Sequence, residues 1–600
     1  YTSEIGNNLH ISGGFLWMYD GVKPVEHNFH VWPEDLGAVG STTSGSMIPQ
    51  QYFYQATYEW TDSQGNIHRS APSVPLSFTI DTAPATFTGN RTSGSAVISS
   101  VSTTANLQVG QAVSGTGIPA STFILSIDSS TQITLTNNAT SGTGTATTIT
   151  PTSLSALSIS VPTLRLTYKT TNKVRIVLYR WSAAQENYYR VTSITSPTLN
   201  NPAVDFVTFT DTQSDAEILG NDLIYTTGGV VEDIAAPGSN AMTLFKSRLL
   251  LVDAEDQNLI WYSKQVIEST PVEMSDLFTL YVAPTISAQG STGPITALSA
   301  MDDKLIIFKK DAIYYMTGSG PDNTGANSDF SDPYFITSTI GCINPNSVVF
   351  TPQGLMFQSD KGIWLLGRDL STQYIGAPVE QFNGQTVTSA LTVPGTNQVR
   401  LTLSNNICLM YDYYYGQWGT FSNVPALSST IYQNQHTYLN QYGQILQETP
   451  GQYTDISTPV LLSFTTSWFN LAGLQGYERF YDFYLLGSFI SPHLLSVQVA
   501  YDYSPAASHQ SIISPNNYTG AYGSDQTYGL TTPYGGSGNL EQWRIHTQRQ
   551  TCQSFQISVS EIFNPAFGTV PGAGLTLSGI LCRLGLKKGA RPIRAANSVG

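Results

Sequence analysis

Charge is what this chain has least of. Asp, Glu, Lys and Arg together make up 11% of its 600 residues, against about 25% in an ordinary globular protein. The shortage does not mark a disordered chain, which combines low hydrophobicity with high net charge, because 40% of residues are apolar and 33 Tyr, 25 Phe and 9 Trp are there to be buried. The polar surface must then be built mainly from Ser, Thr, Asn, Gln and Gly. Cations are scarcer than anions, 26 Lys and Arg against 41 Asp and Glu. The resulting −15 excludes a protein that grips nucleic acid by neutralising phosphates over its general surface. The 4 cysteines, Cys342, Cys408, Cys552 and Cys582, form no CxxC pair. Buried free thiols are expected in place of a disulfide framework or a zinc site. No apolar run reaches the roughly 18 residues of a membrane span, and Tyr1–Asp20 lacks the basic and apolar regions of a signal peptide. The first residue is Tyr1 rather than Met, as expected of a processed chain or of part of a longer product.

Helical patterns are also rare, since Gly, Pro or Asn interrupts nearly every window with 3.6-residue apolar spacing. What is there is period-two alternation, and the fold class expected is all-β. A length of 600 residues corresponds to about four domains. Residues 1–50 read as N-terminal strands associated with a propeller. In Tyr52–Ser73, Tyr52, Tyr54, Ala56, Tyr58 and Trp60 alternate up to an Asp62–Asn66 turn, which predicts a hairpin. Its pattern, with the strands of Leu164–Asp211, resembles a fibronectin type III-like β-sandwich split into residues 51–85 and 152–229. Between the halves, residues 86–151 are rich in Ser, Thr and Gly, with Arg91 and Asp128 as the charged positions. Alternation in that stretch predicts a small inserted β module, similar to modules that recur in phage structural proteins.

Residues 230–457 carry a looser repeat. Lys246–Lys264, Asp302–Gly318, Asn346–Gly367 and Gln398–Phe421 each read as strand, tight turn and strand, with a fainter copy at Ser429–Glu448. This is the inner hairpin of a propeller blade. Five such units predict a six-bladed ring if Gly6–Trp32, or sequence before Tyr1, completes the sixth blade. Residues 458–600 read as a separate C-terminal antiparallel β domain. It contains a Tyr/Gly/Ser-rich loop, Ser514–Gly538, that suits an adaptable contact surface or a solvated loop, and it ends in a basic tail.

Motifs that carry chemistry are missing: the chain has no HExxH, GxSxG, GxxxxGK[ST] or GxGxxG. His27 and His30 form an HxxH on an extended segment, where packing beside Phe29 and Trp32 is expected rather than metal ligation. The acid pairs Asp302-Asp303 and Glu255-Asp256 precede hairpin turns, and neighbours on a strand point to opposite faces, so they are expected to serve turn chemistry. Ser359–Trp364 resembles the Asp-box turn of sialidase propellers but departs from its spacing, and reads as a blade turn. The aromatic run Tyr411–Trp418 is expected to pack between blades, with carbohydrate stacking as the alternative. No catalytic, cofactor-binding or metal-ligating residue is assigned, and the chain is expected not to be an enzyme.

Asn8–Gly21 followed by His27–Glu34, then Tyr58–Ser73, Lys304–Gly325, Gln353–Asp369 and the closing Cys582–Gly589 occur in an order that resembles the tail nozzle, or tubular tail protein B, family of podoviruses. The resemblance covers most of the chain outside the insertion. It implies a β-propeller with added β domains. It also implies a six-subunit ring at the distal end of the tail tube, found in the virion and, during assembly, in the host cytoplasm. Implied partners are further copies of the chain, the tail adaptor, tail fibres or spikes, and viral DNA in transit without sequence-specific binding. The basic residues Arg583, Lys587, Lys588, Arg591 and Arg594 read either as a docking strand for an acidic neighbour or as a solvated tail. Two alternatives remain beside the conduit: a receptor-binding or polysaccharide-degrading tail protein, and a carbohydrate-binding propeller of cellular origin.

Overall fold

A computed structural model of the chain describes residues 1–600 except 141, 225–230, 232, 268–269, 284–285, 288–289, 292, 328, 474–475, 491–492, 515–540, 565–570, 572 and 589–600. The fold is all-β, 49% strand and 4% helix, in two compact units, Tyr1–Ser428 and Ser429–Gly600.

The first unit contains five four-stranded antiparallel sheets, each with its strands in chain order. They run from Thr2 to Glu26, Ser239 to Tyr281, Ile295 to Thr337, Val349 to Tyr374 and Val387 to Phe421. Their second strands are near-continuous apolar runs, as in Arg248–Asp253 and Lys304–Lys309. The reason is burial on both faces. Leu250 and Val252 point into the core shared with the third sheet, while Leu249 and Leu251 point into the core shared with the first. In the same way Leu305 and Ile307 meet the second sheet, and Ile306 and Phe308 meet Leu355 and Phe357 of the fourth. Met356 turns the other way, toward Val387, Val399 and Leu401 of the fifth. Successive sheets therefore share one core per neighbour, and an antiparallel bridge between Gly14 and Ser239 ties the first sheet to the second.

A three-stranded sheet follows, formed by Ala426–Tyr432, Gln435–Asn440 and Ile445–Gln447. It contains the fainter sequence repeat. The boundary between units falls within its first strand, and Ala426 and Tyr438 are its buried apolar residues.

Residues on either side of the insertion build a two-sheet sandwich. The predicted hairpin forms with Glu59, Trp60 and Thr61 opposite Arg69, His68 and Ile67. Tyr52, Tyr54, Ala56, Tyr58 and Trp60 all face a core with Leu157, Ile159 and Val161 of the opposite sheet. Gly37–Gly40 pairs with Leu157–Pro162, so this part of the N-terminal stretch belongs to the sandwich and not to the first sheet. Residues Phe87 to Pro151 close a six-stranded barrel around Phe87, Ile98, Val113, Ile124, Ile133 and Ile149. Phe87 and Ile149 are paired across the strands that open and close it.

A buried polar cluster lies where the first sheet, the sandwich hairpin and the second sheet meet. Asp62 accepts hydrogen bonds from Asn8 at 2.8 Å and Asn66 at 3.0 Å and contacts His68 at 2.9 Å. Lys169 Nζ lies 3.2 Å from Glu26 and donates to the Glu26 carbonyl at 2.8 Å. His27 Nε2 lies 2.9 Å from the Val272 carbonyl, and its ring is 5.4 Å from that of His10, whose nitrogens have no well-aligned partner. Burial, then the neighbouring His68, pushes His10 down to about 4. Burial also lowers His68, against the Asp62 contact, and holds His27 well below the ordinary histidine value.

Candidate interaction surface

Beyond the three-stranded sheet, the second unit contains a sandwich of two sheets. One is Ser463–Thr465, Phe555–Phe563, His493–Tyr501 and His509–Ile513. In the other, the 15-residue strand Gly476–Ile490 pairs on one side with Glu541–His546 and Thr551–Cys552 and on the other with the 15-residue strand Gly574–Lys588. Phe480, Phe483 and Leu485 face the core with Leu495, Val497 and Val559. Phe480 and Phe483 are three residues apart because a bulge lies between Phe480 and Asp482. The extra residue leaves Tyr481 and Asp482 together on the outer face.

On that face Asp482 is 1% exposed and one oxygen, Oδ2, takes both Arg544 Nε and Arg583 Nη2 at 2.7 Å, with the two arginines 45% and 56% exposed. Burial raises the carboxyl, but the hydrogen bond and charge of Arg544, joined by Arg583, outweigh it and hold Asp482 below the usual range. Tyr481 lies between Arg479 and Arg583, whose guanidinium carbons are 5.0 and 5.8 Å from its ring centre. Gly585 makes room for it, since a Cβ there would sit 3.2 Å from the ring. Arg479 donates to Gln550 at 3.3 Å, and Leu581 is 62% exposed opposite Tyr484.

Of the five cationic residues singled out by sequence, Arg583 is thus engaged within the sheet while still exposed. Lys587 and Lys588 occupy the last register positions of the strand, opposite Tyr477 and Gly476. Arg591, Arg594 and the Tyr-Gly pairs of the Ser514–Gly538 loop lie outside the described residues. Sequence reasoning missed Arg479, Tyr481, Asp482 and Arg544. The available signal was the pair of charges in Arg479–Tyr484, set among apolar residues at a spacing that strict alternation does not accommodate.

His27 is fully buried, while His30 is exposed and packs edge-on against Phe15 at 5.4 Å. No group of three His, Cys, Asp or Glu among the described residues is arranged to hold a metal. The four thiols are free, and burial raises Cys342 and Cys582 to about 11 and Cys552 to about 12. Asp302 pairs with Arg368 and Asp303 with Lys304, while Asp253 and Asp256 cap backbone amides of their turn. Asp360 and Lys361 form the turn between Gly354–Ser359 and Gly362–Gly367. In the Tyr411–Trp418 run, Tyr411 packs on Trp418 with ring centres 4.8 Å apart, whereas Tyr414 and Tyr415 stand 73% and 72% exposed at a turn.

No protein-family model matches the chain, and no curated protein does. Among solved structures, a chain of a structure titled "Crystal Structure of Mitotic Checkpoint Complex" is similar over 48% of this chain and 86% of its own length, at 11% identity and a TM-score of 0.22. A likeness that distant carries no argument about function.

Proposed function

We propose that this chain is a structural virion protein that forms the distal tail tube, or nozzle, of a short-tailed phage. It assembles as a ring, most simply a hexamer, that channels DNA during ejection and docks the tail adaptor and fibres without catalysing a reaction. The observation that carries the reading is the run of antiparallel meander sheets, five of four strands and one of three, with one shared core at each of the four junctions among the first five. This is the local architecture of propeller blades. On this reading the first sheet, from Thr2 to Glu26, and the three-stranded sheet from Ala426 to Gln447 would be the two further blades that bring the number to six. The resemblance of the order of motifs to that of podovirus tail nozzles supports the assignment to a tail. An excess of anions also suits a conduit, because a wall without free cations offers DNA nothing to exchange for its counterions.

Light scattering on the purified chain, alone and with its neighbouring tail proteins, tests the proposal. The expected result is a closed ring of six copies, with a central channel in negative-stain images. A monomer under every condition would overturn it. A second reading, a receptor-binding or polysaccharide-degrading tail protein, is favoured by the exposed Tyr414 and Tyr415. It predicts binding or cleavage of a host-surface polysaccharide that Tyr414→Ala with Tyr415→Ala abolishes while the ring, if present, persists.

A further inference from the structure

Charge is distributed unequally between the two units. Basic and acidic residues balance in Ser429–Gly600, so the whole formal −15 belongs to Tyr1–Ser428. Within the balanced unit, cations are concentrated on the outer face of one sheet. There Arg544 and Arg583 both meet Oδ2 of one buried acid, Asp482, and Arg479 lies over the neighbouring Tyr481 ring. Each guanidinium carries five N–H donors, so one carboxylate oxygen leaves most of them free, and Arg479 has the neutral amide of Gln550 as its hydrogen-bond partner.

The face is also built, not merely charged. The bulge before Asp482 brings Tyr481 to the surface, Gly585 gives its ring a seat, and the arginines on either side hold it there. Tyr484, with Arg544 at 5.8 Å from its ring centre, and the exposed Leu581 extend the patch. Arginine and tyrosine on a rigid sheet, with an apolar side chain among them, is the composition of an interface hot spot. An acidic protein surface complements it, and the acidic surface that every copy of this chain carries is its own first unit.

We infer that the outer face of the Gly476–Ile490 sheet, centred on Arg479, Tyr481, Arg544 and Arg583, docks onto the acidic first unit of a second copy of the chain. Contact between unlike faces of identical chains is heterologous, and such contacts close into rings when the rotation permits. The inference rests on the ring reading above and names the contact that would hold the ring. Duplex DNA is the competing ligand for guanidinium groups, and the test separates it.

The experiment uses the full chain and two variants, Arg479→Glu and Arg479→Ala. Arg479 is exposed and among the described residues bonds Gln550 rather than an acid, so both leave the Asp482 cluster in place, and far-UV circular dichroism checks the fold. The concentration at half-assembly is read by light scattering, at low salt and at several times that ionic strength. The wild-type chain is expected to assemble and to weaken with salt. Arg479→Glu is expected to raise the half-assembly concentration about tenfold or more, and Arg479→Ala by less. A folded Arg479→Glu variant that assembles like the wild type would overturn the docking face and leave the ring intact. A wild-type chain that never assembles would overturn the ring itself. Unchanged assembly together with lost affinity for a short DNA duplex would reassign the face to nucleic acid and sink the inference.

Discussion

At the scale of single residues, the buried histidines of the first unit are expected to make it sensitive to acid. His10, His27 and His68 are buried as neutral rings beside Lys169, which lies close enough to oppose any further positive charge on His27 and His68. A base whose folded value is depressed binds fewer protons in the native state than in the unfolded chain. Its contribution is therefore kept above about pH 6.5 and lost as pH falls toward the folded value, which for His10 is about 4. The full loss from His10 alone is on the order of 3 kcal/mol. Thermal melts between pH 7 and 4 should show a falling midpoint in the wild type and a flatter profile in His10→Gln. An equally steep profile in the variant would remove His10 from the account. A second residue-scale expectation concerns Arg180, whose Nη1 meets Asp211 at 2.6 Å with both side chains inaccessible to solvent. Arg180→Met should lower the unfolding free energy by about 3 to 5 kcal/mol, because Asp211 would remain buried without its cation. Urea titration checks this. Neither cluster could be read from the sequence. Glu26 and Lys169, or Arg180 and Asp211, are distant in the chain, and isolated charges of this kind look like ordinary surface residues until the fold brings them together.

At the scale of elements, the hairpins were legible because each strand alternates or runs apolar between Gly and Asp turns, and the structure forms them at Tyr52–Ser73 and in the second to fifth sheets. Two features were not. Gly37–Gly40 is too short and too small-sided to alternate, so its place in the sandwich is set by its partner Leu157–Pro162. The bulge between Phe480 and Asp482 hides the outer face, since it shifts the alternation by one position midway along the strand. The inserted barrel is the most self-contained element. Its core is its own, and it touches the sandwich where Gly110 and Gly40 meet and where Gln108 bonds Thr79 and Asp81. Removing Thr88–Thr148 and joining the ends should leave the sandwich folded, with soluble protein and one calorimetric transition fewer. Insoluble protein would show that the barrel is needed. Gly110 has φ +90, and a Cβ there would sit 2.5 Å from the Gly40 carbonyl oxygen. Gly110→Ala should therefore lower the melting temperature of the barrel's transition.

At the scale of the whole molecule, charge is divided, with the formal −15 in the first unit and no net charge in the second, and the proposed contact between copies rests on that division. Four of the five repeated hairpins lie in the second to fifth sheets, and the fainter copy, Ser429–Glu448, lies in a three-stranded sheet at the boundary between units. The first sheet could be anticipated only as a candidate for completing the set, because its strands are short and its apolar residues serve both the sandwich and the second sheet. The chain leaves the sandwich and returns to it through residues that are paired with each other, Phe87 and Ile149, so the exit and entry points are about 5 Å apart. Such a site is a socket. Any guest domain whose two ends lie side by side can be grafted there in place of the barrel, which makes this the natural position for a fluorescent reporter or for displayed cargo.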